Sequence, residues 1–182
     1  MSTLNWPPFG PDRCVHHAEV GSTNTEALQL ASAGWPGGTW VVADRQTQGR
    51  GRSGRAWVSA PGNLHASLIL RDVFPLEKAA QLALVSGVAV HDAVSRCLQG
   101  VAAPPIELKW PNDLLCGRRK VGGILVESSV ARRDQGALAV IGIGLNLAHD
   151  PGIEGLAATH LAAFGASIAP LKLLAFLDES MQ

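Results

Sequence analysis

Arginine and glycine interleave between Asp44 and Trp57, where Asp-Arg-Gln-Thr-Gln-Gly-Arg-Gly-Arg-Ser-Gly-Arg-Ala-Trp sets Arg50, Arg52 and Arg55 among Gly49, Gly51 and Gly54. A guanidinium presents a planar fork of donors that grips carboxylate or phosphate through paired hydrogen bonds, and glycine opens backbone conformations closed to other residues. The chemistry this spacing points to is an anion clamp on a loop. Each charge-assisted bond contributes about 1.5–3 kcal/mol when shielded from water, and ordering the loop costs about 1–2 kcal/mol per residue. The loop is therefore expected to close only over a bound ligand. A solvated basic turn is the plainer reading of the same residues. The glycines also match the dinucleotide-binding spacing, but that motif needs a strand before it and a helix after it. Pro61 and Gly62 exclude the helix. No Lys-Ser or Lys-Thr follows the glycines, which excludes a P-loop.

Two lysines follow: Lys109, just ahead of the turn Pro111-Asn112-Asp113, and Lys120, at a strand start just before Gly122 and Gly123. Glycine weakens a strand interior, and its usual reason is the close approach of a ligand or another backbone. In Ala137 to Leu147, Ala139, Ile141, Ile143 and Leu145 share one face, while Gly142, Gly144 and Asn146 share the other. That second face is a flat floor ending in an amide, on which a planar ring could lie. Two glycines beneath a packed helix explain it equally well. Ser22, Thr23 and Asn24 stand where a strand gives way to a helix N-terminus, suited either to capping or to holding a polar heterocycle such as a urea carbonyl. No Ser–His–Asp or Cys–His arrangement, metal cluster or carboxylate pair is signalled. Positive charge and room for a flat ligand suit a carboxylate attacking the α-phosphate of a nucleotide, a step that needs mostly positioning and charge neutralisation.

The elements that must position these groups follow from periodicity. A short strand over 13–20 precedes a helix in which Thr23 and Glu26 fit a capping box, and Ala27, Leu28, Leu30 and Ala31 form an apolar face ending at Gly34. Strands over 39–44 and 64–70 flank the arginine loop. A long helix is expected over 76–98, with Ala79, Ala80, Ala83, Leu84, Val88, Val90 and Val94 as its apolar surface. Strands over 106–110, 120–127 and 137–147, a turn around 132–136 and a helix from about Pro170 to Met181 complete the chain. Together they predict an α/β or α+β layer, a mixed sheet with helices on one face. One sheet face is expected to carry Lys109, Lys120, Gly122 or Gly123, Gly142, Gly144 and Asn146, with the arginine loop folding over it.

Composition bounds the rest. A chain of 182 residues and 19.0 kDa with 47% hydrophobic and 16% charged residues is long enough to bury one real core. A net charge of zero and a pI near 7.0 leave no broad basic face for nucleic acid, so no DNA partner is expected. No apolar run spans a bilayer and the N-terminus lacks signal-peptide regions, which makes the cytoplasm the expected location and excludes a membrane partner. Cys14, Cys97 and Cys116 are too far apart and odd in number for a disulfide framework or zinc site, and read as free thiols in or near the core. His16 and His17 are adjacent and cannot jointly chelate one metal from a strand.

Five blocks stand out in order: Gly-Ser-Thr-Asn (21–24), Gln-Thr-Gln-Gly-Arg-Gly-Arg (46–52) with Arg55 and Trp57, Lys-Trp-Pro-Asn-Asp (109–113), Lys-Val-Gly-Gly-Ile-Leu-Val-Glu (120–127) and Gly-Ile-Gly-Leu-Asn (142–146). In this order they resemble the catalytic domain of the biotin protein ligases. The resemblance implies an α+β fold with a mixed, mostly antiparallel sheet, like that of class II aminoacyl-tRNA synthetases. It also implies a two-step reaction, in which biotin and Mg-ATP give biotinyl-5′-adenylate and pyrophosphate before a lysine of a biotin carboxyl-carrier protein takes the biotinyl group.

Carried over by motif, Ser22, Thr23, Asn24 and Gln46 would hold the bicyclic head of biotin, and Gly123 and Leu125 would line its slot. Arg50, Gly51 and Arg52 would close over carboxylate and phosphate, with Arg55 and Trp57 on the nucleotide side. Lys120 would be the principal catalytic cation. Lys109, Asn112 and Asp113 would support the phosphate end, Asp113 as a Mg2+ ligand, and Asn146 would meet adenine or ribose. Gln48 and His65 depart from the residues usual there, a small one and an aromatic one.

Residues 1–182 are expected to form the catalytic domain alone. Only 21 residues precede Ser22, too few for a winged-helix DNA-binding domain, and the small C-terminal β-barrel of the family is expected to be missing. A homodimer is compatible with this reading. Two alternatives stay open, a lipoate or octanoate ligase of the same superfamily and a non-catalytic biotin-binding module.

Overall fold

The chain opens with β1 (Cys14–Val20), α1 (Thr23–Ser32) and β2 (Trp40–Gln46) and continues through β3 (Leu64–Arg71) and α2 (Ala79–Cys97). It ends with β4 (Ile106–Lys109), β5 (Asp113–Cys116), β6 (Arg119–Val130), β7 (Ala137–Leu145) and α3 (Pro170–Met181). The structure, a computed structural model, describes residues 6, 9–71, 79–130, 137–153 and 155–182. The expected start of the long helix at Leu76 and the turn around 132–136 lie outside the described residues. The seven strands form one sheet in the order β1-β2-β3-β7-β6-β5-β4. β1 and β2 are parallel, joined through α1, and every other pairing is antiparallel. This is the α+β class expected, with a mixed and mostly antiparallel sheet.

Alternation along the strands divides the apolar residues between two faces. Trp40, Val42, Leu68, Leu70, Ala139, Ile141, Ile143 and Leu145 point to the larger core, where Ala89, Val90, Ala93 and Val94 of α2 and Leu173, Leu174 and Leu177 of α3 meet them. Val41, Ile69, Leu138 and Val140 point the other way and are covered by Ala27 and Ala31 of α1. The expectation of helices on one face therefore holds for α2 and α3 and is corrected for α1. A crossover between adjacent parallel strands must pack on the sheet, and the small face of α1 fits the residues opposite the main core. α1 covers only one end of this face. Further along β7 the same face presents Gly142 and Gly144, and there the candidate site lies.

Three local expectations change. The N-cap of α1 is Ser22, without a side-chain capping bond, so Thr23 is the first helical residue and no capping box forms. Leu84 and Val88, expected to face the sheet, are 49% and 53% exposed, because the buried stripe of α2 runs through Ala89, Val90, Ala93 and Val94. β5, four residues between two turns, was too short to show a period.

At the end of the sheet distant from the glycines, a buried ion pair fixes α3. Asp178 accepts from Arg13 at 2.6 Å, from Trp40 Nε1 at 2.8 Å and from Gln182 at 3.0 Å. Cys14, Cys97 and Cys116 are free thiols, and burial pushes all three up from the ordinary thiol range.

Candidate active site

The arginine loop is a small hairpin rather than an open coil. Gly51 N–H donates to Arg55 O at 2.7 Å, Trp57 N–H donates to Gly49 O at 2.9 Å, and Arg50 bridges Ala56. Its tip is turned by Ser53 and Gly54, at φ 57° and 72°. At Gly49 a Cβ would lie 2.6 Å from Trp57 O, so only glycine admits the returning strand. Side chains pin the hairpin further: Arg50 donates to Thr25 Oγ1 at 3.1 Å and to Glu127 at 3.3 Å, and Arg52 donates to Asn112 Oδ1 at 3.1 Å. These bonds offset part of the cost of ordering the loop, so contacts with a ligand need not supply all of it.

Beneath the hairpin lies a cavity of about 420 Å³. Its polar end is built where β1 hands over to α1. Gln46 Oε1, at the end of β2, accepts from Thr23 N–H at 2.8 Å and Thr23 Oγ1 at 3.1 Å, and so satisfies a free donor of the helix N-terminus. Buried Ser67 donates to Asn24 Oδ1 at 2.6 Å and lies 2.8 Å from Thr23 Oγ1. Asn24 Nδ2 donates to Glu127 Oε2 at 2.7 Å and to Leu125 O at 3.3 Å. These bonds hold the side chains of Thr23 and Asn24 in one orientation, which is what a site for a polar heterocycle requires. Ser67 and Glu127 were not singled out as site residues from the sequence. Only the antiparallel pairing of Ser67 with Gly142 puts its side chain on the glycine face.

The floor carries a flat ring, and the ring belongs to the protein. A Cβ on Gly144 would come within 2.5 Å of Trp57 Cε2 and Cζ2, so the indole rests directly on the strand backbone. Gly142 leaves the space that Asn24 occupies. The two glycines therefore seat Trp57 and Asn24, and a flat ligand meets those side chains rather than bare strand. Asn146, buried at the end of the floor, donates from Nδ2 to Thr159 O at 3.0 Å and borders the cavity. Asn63 clamps the chain just beyond: its Oδ1 accepts three backbone N–H bonds, from residues 147, 148 and 149, at 3.0–3.1 Å.

The cationic end depends on an irregularity in β6. Leu114 pairs with Gly122 and Leu115 with Lys120, so Val121 is an extra residue, a β-bulge. The bulge moves Lys120 from the face of Gly122 and Ile124 to that of Gly123 and Leu125. Lys120 Nζ then meets Asp113 Oδ1 at 2.6 Å and lies 5.8 Å from the centre of the Trp57 ring. Backbone bonds from Lys120 N–H to Ala157 O and from Thr159 N–H to Lys120 O, both 2.8 Å, fix the position. Between Gly122 and Gly123 the structure chooses Gly123 for the cavity, while Gly122 allows Leu145 to approach. Asn112 donates to Ile124 O at 2.9 Å and presents Oδ1 to Arg52.

Ser22, Thr23, Asn24, Gln46, Arg50, Gly51, Arg52, Arg55, Trp57, Asn112, Asp113, Lys120, Gly123, Leu125 and Asn146 thus line one cavity. Lys109 does not. It stands opposite Asp113 on edge strand β4 and borders a smaller adjoining groove that shares Asn112, Asp113 and Ile124 with the cavity. Among the described residues no three of His, Cys, Asp and Glu group as metal ligands.

This geometry has counterparts. A profile of the biotin/lipoate A/B protein ligase family matches residues 18–146. The biotin–[acetyl-CoA-carboxylase] ligase of Paracoccus denitrificans is 46% identical over 137 residues, covering 74% of this chain and 54% of that protein. The bifunctional ligase/repressor BirA of Bacillus subtilis is 42% identical over 138 residues, covering 75% of this chain and 41% of that protein. The chain thus spans about half the length of the curated relatives it matches. Among solved structures, a biotin protein ligase from Leishmania major in complex with biotin superposes with a TM-score of 0.78 at 31% identity, covering 94% of this chain and 73% of that one. One from Aquifex aeolicus in complex with biotin and ATP gives 0.74 at 31% identity, covering 93% and 68%. The match to the profile contains all five blocks, and the chain belongs to the biotin/lipoate A/B protein ligase family.

Proposed function

We propose that this chain is the catalytic part of a biotin protein ligase, which joins biotin to AMP and then transfers the biotinyl group to a lysine of a biotin carboxyl-carrier domain. The carrying observation is one cavity lined by a fixed polar end, Ser22 to Asn24 with Gln46, and by the three cations Lys120, Arg50 and Arg52. In the first step a carboxylate oxygen of biotin attacks the α-phosphorus of ATP, the bond to the β-phosphate oxygen breaks, and pyrophosphate leaves. Lys120 would bridge the biotin carboxylate and the α-phosphate, stabilising charge as it develops. Arg50 and Arg52 would clamp the two anions, and Arg55, Trp57, Asn112 and Asn146 would hold the nucleotide. In the second step the acceptor amine attacks the acyl carbon, AMP leaves and the amine proton is lost.

Mg2+ would enter with the triphosphate as part of the substrate, and Asp113 would be the carboxylate available to it. One carboxylate with phosphate oxygens is a common Mg2+ environment, and the bond of Asp113 to Lys120 keeps both groups at the phosphate end. Lys109, outside the cavity, is given no part in either step. Biotin is preferred over lipoate or octanoate because the polar network around Thr23 and Asn24 would be wasted on an acid without a polar ring. The solved relatives named for biotin, biotinyl-5-AMP and ATP support the same preference. Among the described residues no helix is long and apolar enough to cross a membrane, which fits a cytoplasmic ligase.

Pyrophosphate exchange into ATP, run with biotin, lipoate, octanoate and no acid, tests the proposal. Exchange that requires biotin and disappears in Lys120→Ala is expected. Exchange driven by lipoate or octanoate instead would turn the reading to the other branch of the family. Biotin binding without exchange would turn it to a binding module.

A further inference from the structure

We infer that His65 is a positioning residue of this site: as a neutral imidazole it fixes the indole of Trp57 flat on Gly144, and so sets the wall against which a flat ligand stacks. His65 is 1% exposed, on β3 directly opposite Gly144. Its Nδ1 accepts from Trp57 Nε1 at 3.4 Å, and its Nε2 faces Ala60 O at 3.4 Å. An indole nitrogen can only donate and a carbonyl can only accept. The two partners therefore require one tautomer, with the proton on Nε2 and the lone pair on Nδ1. A second proton would turn N–H against N–H and unseat the indole.

Burial acts in the same sense, holding the imidazole below its usual value, while the Ala60 carbonyl opposes this more weakly. The other charged groups stand off. Lys120 of β6 and its partner Asp113 of β5 lie across the indole, and Arg50 with Glu127 lies beyond Asn24. Next to His65 on this face β7 contributes Gly144 and then Gly142, with the apolar Val140 and Leu138 beyond, and β2 contributes Val41 opposite Ser67. The seat of His65 is itself anchored, because Asn63 N–H donates to Ala60 O at 3.2 Å and Asn63 Oδ1 grips residues 147–149. Gly144 sets how close the ring comes, and His65 sets how it is turned.

The role in nucleotide binding rests on the proposed ligase reading, whereas the seating of Trp57 does not, so the test reads both. Indole N–H resonances are recorded on 15N-labelled protein, and that of Trp57 is assigned by its loss in Trp57→Phe. Two variants separate the hydrogen bond from the packing. His65→Phe keeps a ring and removes the acceptor, and His65→Asn offers Oδ1 near the place of Nδ1 and cannot titrate. The Trp57 proton is expected to exchange slowly with water in the wild type and in His65→Asn, and to shift and exchange quickly in His65→Phe. In the wild type the resonance should move as pH falls below 6.5, the ordinary histidine value, while in His65→Asn it should stay. The KM for ATP should rise about tenfold in His65→Phe, the size expected for one unpaired buried donor, and return in His65→Asn, with the KM for biotin little changed.

A Trp57 resonance unaltered in His65→Phe overturns the inference whatever the activity, as does an acid shift that persists in His65→Asn. If His65→Phe does not fold, His65→Asn decides alone: loss of the slow-exchanging proton there overturns the inference. A displaced Trp57 in His65→Phe, in a protein whose wild type shows no exchange activity, upholds the seating and removes the ligase reading instead.

Discussion

Replacing Gly144 by alanine adds one methyl group at the place where the candidate site is most tightly built. The new Cβ would lie 2.5 Å from Trp57 Cε2 and Cζ2 and 3.0 Å from Nε1. Carbon atoms settle at about 3.5–4.0 Å, so the indole must retreat by roughly 1–1.5 Å. The strand cannot give way, because Gly144 is paired with His65 on one side and Gly123 on the other. The retreat also breaks the Trp57–His65 bond, which at 3.4 Å has no slack. Overpacking of this kind costs about 1–3 kcal/mol, which, carried into binding, corresponds to about a fivefold to 150-fold loss of affinity for whatever stacks on Trp57. For a domain of this size Tm falls by about 2–4 °C per kcal/mol. Calorimetric titration with ATP, with and without biotin, should show the nucleotide weakened and biotin nearly unaffected, since the polar end is built on Gly142. A Gly144→Ala protein with unchanged Tm that binds ATP within twofold of wild type would refute the reasoning.

Other substitutions separate the parts of the site. Lys120→Ala should lower the exchange rate by about 10²–10³-fold, as removal of one preorganised donor to developing charge does, while biotin affinity is retained. Equal loss of both would mean that Lys120 holds the ground state only. Ser67→Ala leaves Asn24 Oδ1 without its donor in a buried setting, at a cost of about 1–3 kcal/mol. Biotin affinity should fall tenfold or more with ATP affinity unchanged, and equal weakening of both in calorimetry would count against the division into two ends. Asp178→Ala removes the carboxylate that faces buried Arg13, leaving the guanidinium its bonds to Gly38 O, and should destabilise the fold by about 3–5 kcal/mol, read as a lower midpoint in urea. A loss under 1 kcal/mol would show that the pair is not essential to holding α3.

How far the chain could be read in advance depended on whether a feature was local. β7 disclosed both its faces, because Ile141, Ile143 and Leu145 alternate with Gly142 and Gly144, and its two-residue period needs no partner strand. The cluster of arginines and the motif residues were equally visible as local runs, though not the hairpin that carries the arginines. What required partners was not visible. Lys120 reaches the cavity only because Val121 bulges against β5, and strict alternation would have sent it to the core side. Ser67 reads as one polar residue in an apolar strand until pairing with Gly142 sets it beside Asn24. The glycine floor was legible as space, but its occupant was not, since Trp57 arrives from a loop whose path depends on Gly49. Lys109 shows the converse: a polar alternation placed it on the right face, yet the sheet order left it on the edge strand, outside the cavity.

Capture of the intermediate tests the central claim most directly. The protein is mixed with biotin and α-labelled ATP at near-equal concentrations, separated quickly from free nucleotide, and the bound product is identified by mass. The account predicts biotinyl-AMP close to one per chain in the wild type, none with lipoate or octanoate, and about a hundredth as much or less in Lys120→Ala over the same short time. Label retained only as ATP, or an adenylate formed equally well without Lys120, would contradict it.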